Sequence, residues 1–212
     1  SAMDALSSHQ PASYAIHVAG GGAGDVCRMS FDPIRLLGEE PAMGSLSRPA
    51  FLPIISSDTL ATMLCRRIKD AIQGFVIEGP VAGGHNAPPR GQMKLTADGQ
   101  PIYGPRDQVD LDVIRQLGLP FWLAGSYGTR ERVQEALALG ASGVQVGTPF
   151  ALCVESGIVP DVRRSLMRHA LNGSGRIFTD PKASPTGFPF KVAELEGTLS
   201  QADVYQKRKR IC

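Results

Sequence analysis

Four short apolar runs, each followed by a segment with helical spacing, dominate the sequence from residue 51 onward. The runs are FLPIIS, GFVIEGP, PFWLAGS and GVQVGTPF. Strands that alternate with helices in this way predict βαβ units and a parallel sheet. Because the runs are apolar nearly throughout, both faces of that sheet are expected to be buried. The predicted fold class is therefore α/β with parallel (β/α) units, although four units are fewer than the eight of a closed barrel.

Local signals predict where the helices begin. Ser57 or Asp58 can cap the first helix, because short polar side chains accept hydrogen bonds from the free N–H groups of the first turn. Asp107 can cap the second helix in the same way, and Thr129 can cap the third. Pro160 suits the first turn of the fourth.

The first helix is predicted to bury one apolar stripe and to end at a glycine. Gly74 stands where a C′ glycine closes a helix. The apolar side chains that share one face at helical spacing are Leu60, Met63, Leu64, Ile68 and Ile72.

The bulk composition excludes several classes of protein. Hydrophobic residues make up 42% of the 212 residues, charged residues 20%, and the formal net charge is +2, which argues against a disordered chain or a coiled coil. No apolar run approaches the about 18 residues of a membrane span, so we expect a cytoplasmic protein with no membrane contact. The basic KRKR tetrad near the end is too short to indicate a nucleic-acid partner. The four cysteines, which form no CxxC pair, predict neither a zinc site nor a disulfide framework.

The first part of the chain, residues 1–47, carries no regular pattern. Its opening Ser-Ala-Met resembles the remnant of a cleaved tag. A GGGAG segment at residues 20–24 invites comparison with a phosphate loop, yet no GK[ST] follows it and only a weak helical pattern comes next. A phosphate role and a flexible turn both remain open for this segment.

Small residues follow two consecutive predicted strands, in AGS (124–126) and in GT (147–148). In parallel α/β folds, ligands bind at the carboxyl ends of the strands. Glycines there leave backbone N–H groups uncovered, and such groups can hold a phosphate without a charged side chain. The alternative is that the glycines only permit tight turns between strand and helix.

His85 is the only histidine at a predicted strand end. Gly83 and Gly84 before it carry no side chain, so the backbone can approach a flat ligand. The imidazole can take up a proton near neutral pH, which predicts a general base. A structural, hydrogen-bonded histidine is the alternative. No second histidine or cysteine stands at ligand spacing, so we expect no metal site.

A long insertion at residues 86–106 follows this histidine. It contains two consecutive prolines and an Asp98-Gly99 turn flanked by KLTA and QPIYG, which predicts a small β-hairpin. A loop of this length at the carboxyl end of a strand is a candidate lid.

Four motifs carry a resemblance to a known family: GPVAGGHNAPPRG, PFWLAGSYGT, GASGVQVGTPFALCVESG and FTDPKASPTGFPFKV. Together they resemble the nitronate monooxygenase (2-nitropropane dioxygenase-like) flavoproteins, from about Arg48 to the end of the chain. The resemblance implies a TIM barrel that binds FMN without a covalent bond, with His85 as catalytic base. It also implies that the cofactor-binding residues are Gly83, Gly84, Ala124, Gly125, Ser126, Gln145, Val146, Gly147 and Thr148.

The resemblance further implies that residues 48–212 are barrel strands five to eight, the C-terminal half of an FMN-binding barrel. The first strands, which carry much of the contact to the flavin ring in this family, have no counterpart here. We therefore expect an inactive fragment with uncovered sheet edges. Such a fragment would form a homodimer, associate with the missing half of the barrel, or fold residues 1–47 over the gap.

Three functions stay open on the sequence alone. The first is an FMN-dependent oxidoreductase of nitronate monooxygenase type, which oxidises nitronates or nitroalkanes with O₂. The second is an FMN-dependent reductase of enoyl thioesters, and the motifs do not separate these two. The third is a non-catalytic half-barrel that binds phosphate.

Overall fold

The structure, a computed structural model, describes residues 2–17, 22, 24–38, 47–184 and 186–209. The chain forms two compact units, Ser1–Ala50 and Phe51–Cys212. In the first unit, two strands pair antiparallel with Ala12 opposite Phe31. The elements of this unit are α1 (Ala2–Ser7), β1 (Ala12–His17), β2 (Val26–Phe31) and α2 (Pro33–Leu37).

Some sequence features fall outside the described residues. The GGGAG segment is described only at Gly22 and Gly24, and the Gly22 N–H donates to the Asp25 carboxylate over 2.7 Å. The two alternatives for that segment therefore remain predictions. Ser1, Arg210 and Cys212 also lie outside the described part, whereas the next two residues of the proposed tag remnant begin α1.

The second unit contains the predicted parallel sheet. Its strands lie in the order β3, β4, β5, β6, and every neighbouring pair is parallel, which confirms the α/β class with four units. The strands are β3 (Ile54–Ile55), β4 (Phe75–Glu78), β5 (Phe121–Ala124) and β6 (Gly143–Gln145). The helices between and after them are α3 (Asp58–Ile68), α4 (Leu111–Gln116), α5 (Arg130–Ala138), α6 (Thr148–Ala151) and α7 (Pro160–Leu171).

A second antiparallel pair follows the sheet. Strand β7 (Ile177–Asp180) pairs with β8 (Phe190–Ala193), and a last helix, α8 (Ala202–Lys207), comes after them. The sequence pattern of this region predicts no strands. The Pro, Gly, Ser and Thr residues of this region form the connection between β7 and β8, and they make the short apolar runs of the two strands hard to recognise in the sequence.

The core of the second unit lies between one face of the sheet and the helices. Phe75 is fully buried, and it clusters with Phe121 and Leu123 of the next strand. Ala61 of α3 and Ile114 of α4 complete this cluster with no exposed surface. Burying a side chain such as Ile114 contributes about 1.5–3 kcal/mol of hydrophobic free energy.

The predicted apolar stripe is confirmed for Ile72, which is buried, and for Leu64, which packs against the core, but it is wrong for the other three residues. Leu60, Met63 and Ile68 are exposed, whereas Ala61 is fully buried and Cys65 packs against the core. An alanine at the point of contact lets the helix backbone approach the sheet more closely than a leucine would. Hydrophobic spacing alone does not reveal that preference.

The role predicted for Gly74 is also wrong. The helix ends at Ile68 and a 3-10 turn follows at Lys69–Ala71. Gly74 is not among the glycines with positive φ. A Cβ atom there would lie 2.6 Å from the carbonyl oxygen of Pro120 and 2.9 Å from the Trp122 ring. Glycine is therefore required by the close approach of the next strand.

Two further predictions need correction. Asp107 does not cap α4, because it lies in a 3-10 turn at Pro105–Asp107, and the side chain of Asp110 caps the helix instead. The fourth apolar run is not a strand throughout, because β6 ends at Gln145 and α6 begins three residues later. Pro149 favours that helical turn, since its ring fixes a helix-compatible φ and it needs no N–H partner.

Across the described ranges, no helix combines the length and the apolar character that crossing a membrane requires.

Candidate functional site

The carboxyl ends of three strands meet at one edge of the parallel sheet. Glu78 at the end of β4 lies opposite Ala124 of β5, and Ala124 lies opposite Gln145 of β6. The turns that follow these strands are therefore neighbours in the order of the sheet. One of them contains His85, and the other two contain the predicted phosphate-binding residues.

The turn after β5 contacts the turn on either side of it. Gly125 and Ser126 have φ angles of 101° and 61°, so the chain reverses sharply there. A Cβ atom on Gly125 would lie 2.8 Å from the backbone N of Ala82, in the turn after β4. On the other side, a Cβ atom on Gly128 would lie 3.2 Å from Pro149 in the turn after β6.

These two predicted phosphate turns offer free donors. Within the part of the chain that the structure describes, the backbone N–H groups of Ser126, Tyr127, Gly147 and Thr148 have no hydrogen-bond acceptor. Gly147 faces open space, because a Cβ atom there would meet nothing within 4 Å. Backbone N–H groups without acceptors in neighbouring turns are donors of the kind that a phosphate group binds. The residues present therefore fit the phosphate end of FMN.

His85 is held by a second strand interaction that the sequence analysis did not predict. The residues around it pair antiparallel with β8, and His85 itself lies opposite Phe190. The Asn86 N–H donates to Pro189 O over 2.8 Å, and the Lys191 N–H donates to Gly84 O over 2.9 Å. The imidazole also contacts the Phe190 ring edge-on, with centroids 4.8 Å apart. Both the backbone and the ring of His85 are thereby fixed.

Two hydroxyl groups continue from the imidazole into the connection between β7 and β8. The Nε2 atom of His85 lies 2.7 Å from Ser184 Oγ, which lies 2.7 Å from Thr186 Oγ1. Ser184 is 8% exposed, whereas Thr186 is open to solvent. Sequence reasoning missed both residues, although they stand in one of the four quoted motifs.

A cavity of about 300 Å³ lies beside His85, between the ends of β3 and β4 and the loop at residues 86–107. The polar and apolar side chains that matter for its chemistry are Glu78, His85, Asn86, Arg90, Tyr103 and Phe188. Among the described residues, none of the predicted cofactor positions lines this cavity. The structure thus brings His85 and the two turns to one edge of the sheet without enclosing them in one cavity.

Asn86 provides a buried acceptor on the cavity wall. Its Nδ2 donates to Ala82 O over 3.0 Å, and its side chain is only 4% exposed. The Oδ1 atom has no donor among the described residues. Buried side-chain oxygens are almost always hydrogen-bonded, so this atom fits a ligand that brings an N–H or O–H group. The edge of a flavin ring carries such a group.

Burial and local charge shift two acids at this cavity in opposite directions. Burial raises the pKa of Glu78. Burial also acts to raise the pKa of Asp107, but the backbone N–H donors of Gly104 and Arg90 outweigh it, and the pKa is lowered. Asp107 therefore stays ionised as a structural acceptor. Glu78, by contrast, keeps its proton to a higher pH than an ordinary glutamate does.

Two further cavity residues come from the insertion. Burial raises the pKa of Tyr103, and the negative charge of Asp107 raises it further. The Tyr103 hydroxyl donates to Ala87 O over 3.0 Å. The guanidinium of Arg90 lies 3.8 Å from the Asp58 carboxylate. Among the described residues, this long ion pair leaves most donors of the Arg90 guanidinium without a partner, so they could bind a ligand.

The tip of the insertion is a tight turn that rests on β7. Leu95 bridges Pro101, and Gly99 within the turn has a φ of 89°. The Arg176 guanidinium pairs with Asp98 at 3.0 Å, and the Thr179 N–H donates to the side chain of Gln100 over 2.9 Å. The candidate lid is therefore closed down on the same hairpin that fixes His85.

The comparison with protein families decides where this chain belongs. Residues 43–174, more than half of the chain, match the family described as nitronate monooxygenase. The chain belongs to the nitronate monooxygenase family. The resemblance drawn from the motifs is thereby confirmed. The motif that contains Ser184 and Thr186 lies beyond the matched residues.

Two proteins illustrate how far the likeness reaches. A (3aS,4S,5R,7aS)-5-hydroxy-7a-methyl-1-oxo-octahydro-1H-indene-4-carboxyl-CoA dehydrogenase of Mycobacterium tuberculosis is 27% identical over 122 residues, which are 58% of this chain and 30% of that protein. A structure of a FabK mutant from Thermotoga maritima matches 68% of this chain and 39% of that chain, with 24% identity and a TM-score of 0.45. This nitronate monooxygenase family member thus spans well under half the length of either protein.

Proposed function

We propose that the protein works as an FMN-dependent oxidoreductase of nitronate monooxygenase type, in which His85 is the base. One observation carries the proposal. His85 lies on the cavity wall, held from both sides by backbone hydrogen bonds to β8, at the same sheet edge as two turns of free N–H groups. A base needs this fixed position, and an anionic cofactor needs those donors.

The chain's own residues would hold FMN at two points. The phosphate would bind the N–H groups of Ser126, Tyr127, Gly147 and Thr148, which lack acceptors in the described part of the chain. The open backbone at Gly83 and Gly84, where a Cβ atom would meet nothing within 4 Å, leaves room for a flat ring. When bound, FMN would accept electrons from the substrate and pass them to O₂.

The task of His85 is a proton transfer. With a nitroalkane as substrate, the α-proton moves to the imidazole, and the C–H electron pair enters the C=N bond of the nitronate. A substrate supplied as the nitronate has already lost that proton. Turnover of nitroalkanes therefore requires His85, whereas turnover of preformed nitronates depends on it much less.

A second candidate is reduction of an enoyl thioester with NAD(P)H. The relative from M. tuberculosis supports it, because its name gives a carboxyl-CoA compound as substrate. His85 and the same phosphate turns would serve either reaction. Turnover of crotonyl thioester with NAD(P)H, set against O₂ consumption with propionate nitronate, separates the two.

The test compares the 212-residue chain with the protein encoded by the whole open reading frame of its gene. We expect a yellow FMN protein that consumes O₂ with propionate nitronate and with nitroalkanes. His85→Ala should reduce nitroalkane turnover about 100-fold or more, in line with the usual contribution of a general base. His169→Ala, on the exposed end of α7, is the matched control.

Three outcomes would contradict the proposal. One is a colourless protein under all conditions, and a second is full nitroalkane activity in His85→Ala. The third is micromolar FMN binding by a protein without any turnover, which would favour the non-catalytic phosphate-binding alternative.

A further inference from the structure

Only one ring nitrogen of His85 has a partner in the described part of the chain. That nitrogen is Nε2, at 2.7 Å from Ser184 Oγ. The Nδ1 atom has no hydrogen-bond partner among the described residues. The edge-on contact with Phe190 and the paired backbone on both sides of His85 oppose rotation of the ring. Nδ1 is therefore the ring nitrogen that the described contacts leave available to a substrate.

Ser184 is itself fixed in place. Its Oγ accepts the Thr186 backbone N–H over 3.2 Å and lies 2.7 Å from Thr186 Oγ1. If Ser184 donates its proton to Thr186, its oxygen has a lone pair for His85 Nε2–H, and the exposed Thr186 hydroxyl can donate to water. Every donor in that arrangement has an acceptor.

The reverse arrangement does not leave a usable base. If Ser184 donates to Nε2, the neutral imidazole must carry its proton on Nδ1, and that N–H then has no acceptor among the described residues. Both ring lone pairs are then unavailable, one because Ser184 occupies it and the other because it is protonated. Only the form with a proton on Nε2 leaves a ring lone pair without a partner among the described residues.

We propose that Ser184 is a positioning residue that holds His85 in the Nε2–H tautomer, so that Nδ1 is the atom that accepts the substrate proton. The base role rests on the proposed function, whereas the tautomer does not. In the reaction the α-proton of the nitroalkane bonds to Nδ1, and the C–H electron pair stays with the nitronate. Nε2 keeps its proton throughout, and its bond to Ser184 becomes charge-assisted in the imidazolium.

The first experiment needs no activity. Side-chain ¹⁵N chemical shifts of His85 in the 212-residue chain report which ring nitrogen carries the proton when the imidazole is neutral. We expect protonated Nε2 and unprotonated Nδ1 in the wild type and in Ser184→Thr, which keeps the hydroxyl. Ser184→Ala should show a mixture of the two tautomers.

The chain offers a matched control in its other histidine–serine pair. His169 Nδ1 lies 2.9 Å from Ser174 Oγ at the exposed end of α7. Ser174→Ala should change the spectrum of His169 and leave that of His85 unchanged. If Ser184→Ala does not fold, the tautomer of His85 is decided by the spectra of the wild type and of Thr186→Val. The Thr186→Val variant removes only the outer hydroxyl.

The second experiment uses the FMN-loaded protein. Ser184→Ala should lower kcat for a nitroalkane about tenfold with little change in KM, because it misplaces a general base. Turnover of the preformed nitronate should change less than twofold, and Ser184→Thr should restore most of the loss. If Ser184 had a merely structural role, its loss would lower the turnover of both substrates alike.

Two results would overturn the proposal: a wild-type His85 with its proton on Nδ1, or a Ser184→Ala spectrum and nitroalkane rate that match the wild type. A protein that binds no FMN and turns over neither substrate refutes the proposed function. The tautomer measurement is unaffected by that failure, so the two failures are distinguishable.

Discussion

Gly125 packs directly against Ala82, so that a Cβ atom on the glycine would lie 2.8 Å from the alanine backbone nitrogen. This contact joins the first phosphate turn to the chain segment that leads to His85. The positive φ of 101° at Gly125 allows the reversal that creates it. The predicted phosphate turn and the segment that carries the proposed base are therefore packed together through one glycine.

Gly125→Ala should destabilise the fold by about 2 kcal/mol or more, since it combines a left-handed backbone angle with a steric clash. Gly147→Ala should change the free energy of unfolding by less than about 0.5 kcal/mol, because a Cβ atom there meets nothing and the φ is −113°. Urea unfolding measures both. Equal stability losses in the two variants would contradict this account of the turns.

Gly147→Ala should nevertheless weaken FMN binding about tenfold, or about 1.4 kcal/mol, because the added methyl group enters the predicted phosphate turn. Fluorescence titration of FMN gives the Kd. Gly157→Ala, which also places its Cβ in open space but lies outside both turns, is the control. Unchanged affinity in Gly147→Ala would place the phosphate elsewhere.

Glu78 should make the fold less stable as the pH rises. Because burial raises its pKa in the folded state, the folded chain binds the proton more tightly than the unfolded chain does. Stability is therefore lost as the pH increases from the ordinary glutamate value to the raised one. Glu78→Gln should flatten that dependence in chemical unfolding curves, whereas Glu196→Gln on an exposed turn should not. A wild-type profile that rises through this range contradicts the prediction.

Tyr103→Phe should cost about 0.5–1 kcal/mol of stability, because the phenol donates to the exposed carbonyl of Ala87, which water can also reach. The same change should raise KM more than it lowers kcat, since Tyr103 lines the cavity but is not the proposed base. Steady-state kinetics with a nitroalkane measures both. A selective loss of kcat would show that the hydroxyl acts on the reacting group.

Arg176→Ala should release the tip of the insertion. The lost ion pairs to Asp98 and Glu194 are exposed, so the global stability should fall by less than about 1 kcal/mol. Limited proteolysis at residues 94–102 should nevertheless become several-fold faster at low salt, and the difference from the wild type should shrink at high salt, where the ion pairs are already screened. Arg164→Ala, which removes an exposed pair within α7, is the control. No change in cleavage would show that the turn is held by Gln100 alone.

The parallel sheet was predictable because buried strands and amphipathic helices leave strong patterns. The carboxyl ends of the strands then follow from chain direction, which is why His85 and the two glycine turns could be placed at one edge in advance. Cap residues were partly predictable: Thr129 does cap α5, whereas Asp107 was displaced by Asp110. Two aspartates this close in the sequence are equally good candidates for the cap, and only the path of the backbone distinguishes them.

The partners of His85 could not be predicted. Ser184 lies 99 residues further along the chain, and no local spacing rule connects the two. The requirement for glycine at position 74 likewise comes from a neighbouring strand. Contacts between distant segments depend on how the elements stack, and a single sequence does not encode that in any short window.

The pairing of residues 84–86 with β8 has a consequence for how this site comes into being. All four parallel strands are complete before residue 146 is reached, yet the imidazole acquires its orientation only when the stretch around residues 189–191 docks. The contacts that build the sheet and the contacts that orient His85 therefore come from different parts of the chain. A protease that cuts between β7 and β8 should leave the parallel sheet folded and the ring of His85 free to rotate.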